Sequence, residues 1–152
     1  MDNELKELYQ QVILDHNKSP RNYGKPENYN HFAEGYNPLC GDHVDVYIKV
    51  ENGIVEDVRF EGSGCAISKS SASLMTSIVK GKKVEEAEKL FDNFHDLVTG
   101  KLDDEAVISE MGKLAVFQGV RDFPARVKCA SLPWHTMKSA LHDEATKITS
   151  EP

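Results

Sequence analysis

The feature that most constrains this chain is an alternating pattern that stops and restarts around two residues. From His43 to Glu51 apolar side chains recur at every second position, Val44, Val46, Ile48 and Val50, and residues 54–61 alternate again. Between the runs stands Asn52-Gly53, the pair best suited to the left-handed backbone of a two-residue hairpin. Strands joined this tightly lie antiparallel and share one apolar face, which something else in the chain has to cover.

Helices are the available cover. Leu5, Leu8, Tyr9, Val12 and Ile13 repeat at helical spacing and predict a helix over residues 3–17, ended by Lys18-Ser19-Pro20. Residues 20–38, rich in Asn, Gly, Tyr and Pro, read as an extended loop with one short strand near 30–35. Helical patterns follow at 66–80 and 84–99. Residues 102–120 read as a loop with a short helix around 114–117. A last helix begins near Asp122 or Phe123, with Asp122 as its N-cap and Pro124 in its first turn. Its apolar stripe is Val127, Ala130, Trp134, Met137 and Leu141, and Pro133 inside it should kink it. Residues 143–152 show no apolar face long enough to dock and are expected to fray. No repeat or linker interrupts the 152 residues, so a single domain is expected. The order of elements predicts an α+β fold, a small antiparallel sheet of about three strands covered by helices.

Charge and composition narrow the function. The net charge is −7, and Lys80-Gly81-Lys82-Lys83 is the densest basic run, which argues against a nucleic-acid partner. No apolar run approaches the roughly 18 residues of a membrane span. The first residues lack the basic and apolar regions of a signal peptide. Three cysteines cannot all pair, and none has the spacing of a disulfide framework. A reducing cytoplasm with free thiols is the expected setting, and metal binding or catalysis then becomes a reason to have the thiols.

Each cysteine sits in an unusual local context. Gly62-Ser63-Gly64-Cys65 follows a strand pattern and precedes a helical one, so Cys65 falls where a strand hands over to a helix. The unpaired amides and the positive end of the helix dipole there favour thiolate over thiol. Cys40-Gly41-Asp42 comes just before the first hairpin strand; if extended, it points Cys40 and Asp42 the same way. Cys129 lies roughly 110° from the centre of its helix's apolar stripe, with Arg126 one turn earlier on the same side. Free cysteines often serve as small buried hydrophobes, and Asp42 alone reads as a turn or cap. Together, three thiolates and one carboxylate make a tetrahedral set suited to Zn²⁺ or iron. The histidines are expected to stay out of it: His43 alternates away from the strand's apolar face, and His16, His95, His135 and His142 read as mostly solvated.

These motifs carry a resemblance. Pro38-Leu39-Cys40-Gly41-Asp42, the stretch from Phe60 through Cys65 to Ser73, and Phe123-Pro124-Ala125-Arg126-Val127-Lys128-Cys129-Ala130 closely resemble the NifU N-terminal/IscU family of iron–sulfur cluster assembly proteins. Leu8-Tyr9 through His16 and Pro20-Arg21-Asn22 fit as well, so the likeness spans roughly residues 5–142. The scaffold branch of the family carries a His before the third cysteine and a Leu-Pro-Pro-Val-Lys motif upstream. Here Lys128 takes the His position, Phe123-Pro124-Ala125-Arg126-Val127 replaces the motif, and the stretch from Cys65 to Cys129 is longer. These are features of the SufU branch.

The resemblance implies that Cys40, Asp42, Cys65 and Cys129 hold one Zn²⁺. It also implies a PLP-dependent cysteine desulfurase of the SufS type as partner, with cluster-assembly proteins downstream. On that reading Cys40 accepts persulfide sulfur, making the chain a zinc-dependent sulfurtransferase, and Arg126 steadies Asp42 or the departing thiolate. Two other roles are open to the same residues. One is a scaffold that binds iron or assembles a [2Fe–2S] cluster; the other is a zinc-stabilised activator of the desulfurase that carries no sulfur.

Overall fold

The structure is a computed structural model that describes residues 3–38, 41–142 and 147–149. Its elements in order are α1 (Asn3–Lys18), β1 (His31–Asn37), β2 (Asp42–Glu51), β3 (Ile54–Ser63), α2 (Ala66–Val79), α3 (Val84–Val98), α4 (Glu105–Glu110), a 3₁₀ helix (Gly112–Asp122), α5 (Pro124–Leu141) and β4 (Lys147–Thr149). The expected antiparallel sheet is formed by β1, β2 and β3. Asn52 (φ 54°) and Gly53 (φ 76°) both adopt the left-handed backbone that their hairpin demands.

The strand order is β3-β2-β1-β4. β4 pairs parallel to β1, with Gly35 opposite Ile148. Of the stretch expected to fray, residues 147–149 are described as this strand, while 143–146 and 150–152 lie outside the described residues. A tail too short for a docking helix face can still pair, because three residues need only an open strand edge. At the other edge, the Gly24 N–H donates to Phe60 O at 2.9 Å and the Phe60 N–H to Asn22 O at 3.1 Å. The loop before β1 thereby covers part of the β3 edge.

One face of the sheet is covered by helices. α5 packs on β1 and β2, α2 lies against β3 and α5, α1 packs on α2, and α3 on α5. Val44, Val46, Ile48, Val55, Val58 and Phe60 point into the core. At its other side Trp134 stacks on Phe94, with ring centroids 4.7 Å apart, and Phe94 meets Phe117 edge-on. Helix and sheet approach closely at Gly35, where a Cβ would collide with Thr136 Oγ1.

Three local expectations need correction. α4 was not anticipated; Asp104 caps it, its Oδ1 accepting the Ala106 N–H, but it buries no residue and so shows no amphipathic period. The short helix expected at 114–117 is part of an 11-residue 3₁₀ run, and Asp122 ends that run instead of capping α5. Phe123 is the N-cap of α5 and makes no side-chain cap bond, while Pro124 occupies the first turn as expected. α5 continues through Pro133 to Leu141.

Candidate metal centre

The site is assembled from the start of β2, the β3–α2 turn and the second turn of α5. Gly62 and Gly64 make the turn possible. Gly62 has φ +145°, and a Cβ there would collide with the carbonyl of His43. At Gly64 a Cβ would stand 2.5 Å from Asp42 Oδ1, so the backbone can lie against that carboxylate only because the side chain is absent.

Cys65 is the N-cap of α2, as its place between strand and helix predicts. Its backbone N–H donates to Asp42 Oδ1 at 2.9 Å, and its Sγ accepts the Ser68 N–H at 3.5 Å. The sulfur thus faces the amides of the first helical turn, where negative charge is favoured. Asp42 is 0 % exposed, Cys129 is 3 % exposed, and Cys65 is partly exposed. The site therefore has a buried floor and one side open to solvent.

Asp42, Cys65 and Cys129 converge, their ligand atoms all within 4.8 Å of one another. Asp42 Oδ2 stands 3.8 Å from Cys65 Sγ. In a tetrahedral zinc site with ordinary Zn–O and Zn–S bonds that separation is about 3.5 Å, so the donor set fits such an ion after a small inward movement. Cys40, expected as the fourth ligand, lies outside the described residues. It falls in the connection between Asn37 and Asp42, which are paired across β1 and β2.

Cys129 is more buried than its offset from the apolar stripe suggested, yet it belongs to this cluster. Ser71 Oγ–H donates to Ala130 O at 2.6 Å and joins α2 to α5 beside it. Asn37, read in the sequence only as part of the extended loop over residues 20–38, is 1 % exposed and its Nδ2–H points at Cys129 Sγ, 3.8 Å away. An Asn three residues before Cys40 was its only signal. Arg126 is exposed, with its guanidinium 4.5 Å over the Phe123 ring.

Among the described residues no histidine joins the sulfur cluster. His142 is exposed as expected, but His16, His95 and His135 are less solvated than expected. His16 is 3 % exposed, with Nδ1 2.7 Å from Ser73 Oγ, which also accepts the Arg21 N–H. Burial, with the Arg21 and Lys113 cations and against the pull of Asp15, holds its imidazole below the usual pKa. His16 follows Val12 and Ile13 at helical spacing, so the pattern placed it on the packed face. His135 is half-buried, and burial, His95 and Lys138 lower its pKa too.

Residues 8–130 match the NifU-like N terminal domain family. The chain is similar to the zinc-dependent sulfurtransferase SufU of Bacillus subtilis (strain 168), 43% identical over 92% of this chain and 93% of that protein. It is also similar to the iron–sulfur cluster assembly scaffold protein IscU of Thermotoga maritima, 39% identical over 90% and 94%. Among solved structures, a putative iron–sulfur cluster assembly scaffold protein for the SUF system from Fervidobacterium islandicum AW-1 superposes with a TM-score of 0.81. It is 37% identical, over 92% of this chain and 99% of that one. A shared sheet-and-helix architecture, a cysteine on the β3–α2 turn, a second cysteine on α5 and a match along most of the sequence lead to one assignment: the chain belongs to the NifU-like N terminal domain family.

Proposed function

We propose that this protein serves iron–sulfur cluster assembly as a zinc-bound sulfur acceptor. In this reading Cys40, Asp42, Cys65 and Cys129 hold one Zn²⁺, and Cys40 takes sulfane sulfur from a PLP-dependent cysteine desulfurase of the SufS type. The carrying observation is the convergence of Asp42, Cys65 and Cys129 to within 4.8 Å from three separate segments. Similarity to a zinc-dependent sulfurtransferase supports the choice of ion and chemistry.

Zinc, when bound, would keep the thiols deprotonated and tie the three segments together. The protein's own residues supply the rest. Asp42 holds the first turn of α2 through the Cys65 N–H, and the open side of the site admits the partner. The Cys40 thiolate attacks the outer sulfur of the desulfurase's cysteine persulfide. A new S–S bond forms at Cys40 as the old one breaks, and the desulfurase's cysteine leaves as its thiolate, with no net oxidation. Arg126, exposed on Phe123 and three residues before Cys129 on α5, is available to the partner.

A scaffold reading is favoured by one observation, the similarity to a cluster assembly scaffold. Two thiolates and a carboxylate also suit iron. Incubation with a cysteine desulfurase and cysteine, followed by mass spectrometry of alkylated protein, decides between the roles. A persulfide on Cys40, with zinc retained against iron and sulfide, is the expected result. Assembly of a stable cluster with loss of zinc supports the scaffold. If Cys40→Ser stimulated the desulfurase as fully as the wild type, sulfur would not pass through Cys40, and the protein would be an activator.

A further inference from the structure

The seam between α3 and α5 holds imidazoles that the metal centre does not use. Along it Glu88, Phe91 and His95 of α3 meet His142, Lys138 and His135 of α5. The ring centroids of His95 and His135 are 5.9 Å apart, and Phe91 lies against both, nearly parallel to His95 and edge-on to His135. Lys138 Nζ stands 4.6 Å over the same Phe91 ring. One residue back on each helix Phe94 stacks on Trp134, so the imidazole pair adjoins that buried aromatic contact.

Two core histidines with their hydrogen bonds satisfied would be the simpler reading, and the seam lacks what that needs. His95 Nδ1 is shielded from solvent and has no hydrogen-bond partner among the described residues; nor have Ser131 Oγ and Trp134 Nε1, one turn before His135 and next to it. An imidazolium carries a proton on both ring nitrogens, so a charged His95 would bring a buried N–H with nothing to receive it. No anion is placed to hold such a charge either. Burial, His95 from α3 and Lys138 from its own helix all hold the His135 pKa below the usual value. Glu88 is taken by His142 Nε2 at 2.8 Å. Asp92 and Asp96 neighbour Phe91 and His95 in sequence, yet among the described residues the histidines in ion pairs are His43 and His142. The 3₁₀ helix, which packs on both α3 and α5, adds two more cations, Lys113 near His16 and Arg121 held by Asp103.

We propose that His95 and His135 form a proton-sensitive latch: neutral, they let α3 close on α5, and protonated together they drive the two helices apart. Its basis is a like-charge contact. Two imidazoliums with ring centres 5.9 Å apart, and Lys138 as a third cation on the same seam, repel in partly desolvated surroundings. A closed seam therefore binds these protons less readily than an open one, and falling pH favours the open form. Histidine titrates near about 6.5, so the change belongs between about pH 7 and pH 5. Opening uncovers Phe91, Phe94 and Trp134, while α5 keeps its contacts with β1 and with α2.

Hydrogen exchange of the full chain, read by mass spectrometry, tests this, with the fluorescence of Trp134, the single tryptophan, as a second readout. Between about pH 7.5 and pH 5.5 the wild type should lose about tenfold or more of the protection of α3, corrected for intrinsic exchange. Its tryptophan emission should move to the red over the same range. His95→Gln/His135→Gln, neutral throughout, should keep α3 protected. Lys138→Met removes only the third cation and should move the transition to lower pH, which keeps the test decisive if the double variant is too unstable to measure. Zinc release on acidification would act on all three proteins alike and cannot create a difference between them, so the result does not depend on the function proposed above. Equal loss of protection in the wild type and the variants, or none in the wild type, would overturn the proposal.

Discussion

Asp42 Oδ1 accepts the backbone N–H of Cys65 at 2.9 Å, so a fully buried carboxylate at the start of β2 fixes the entry to α2. The bond spans 23 positions of sequence and makes the carboxylate both a structural acceptor and a candidate ligand.

Two substitutions separate those roles. Asp42→Asn can keep an acceptor for the Cys65 N–H while losing the charge, so it should retain most of the stability and release zinc faster to a chelator. Asp42→Ala loses both and should also cost about 1–3 kcal/mol in urea unfolding. Equal zinc retention in wild type and Asp42→Asn would remove Asp42 from the coordination sphere.

Gly64→Ala places a methyl 2.5 Å from Asp42 Oδ1. The carboxylate is buried and held by Cys65, so it cannot simply swing away. Destabilisation of about 1–3 kcal/mol is expected, together with weaker zinc binding. At Gly81 a Cβ meets nothing within 4 Å. Its replacement by Ala, though strained by its own φ of +86°, should leave zinc binding intact.

Asn37 directs its Nδ2–H toward Cys129 Sγ. Groups that support metal ligands in this way commonly contribute about tenfold to a hundredfold in affinity. Asn37→Ala should therefore weaken zinc by that order in a competition titration, and Asn37→Asp should alter the affinity differently because it adds charge beside a sulfur. Identical affinities in all three proteins would leave Asn37 a purely structural residue.

The pH dependence of stability should carry the mark of His16. Its native imidazole is held below the ordinary value of 6.5, so the unfolded chain takes up a proton first. Stability is complete above about that pH and declines as pH falls, until the native imidazole itself protonates. His135 is depressed too and contributes in the same direction. Urea unfolding from pH 7 to pH 5 should show this decline in the wild type and a shallower one in His16→Gln. Parallel profiles would contradict the assignment.

The sequence made the hairpin legible because Asn52-Gly53 permits few alternatives, and it made Cys65 legible because glycines and a helix start leave so few places for a side chain to go. Its limits were physical. The 3₁₀ run buries Leu114, Ala115, Val116 and Phe117 in succession, a pattern with no 3.6-residue period. β4 exists only as a partner to the edge of β1, a distant pairing that three residues cannot announce. His16 is buried although its neighbours in sequence are polar, because its spacing from Val12 and Ile13 puts it on the packed face. Cys129 needed both β1 and α2 to be in place before its position meant anything.

The missing side chain at Gly35 has a mechanical result. With Thr136 resting directly on the strand's backbone, α5 and β1 have no strand side chain between them at this point, and Cys129 lies seven residues earlier on the same helix. A bulkier residue at position 35 would push the helix off the strand and carry that sulfur with it.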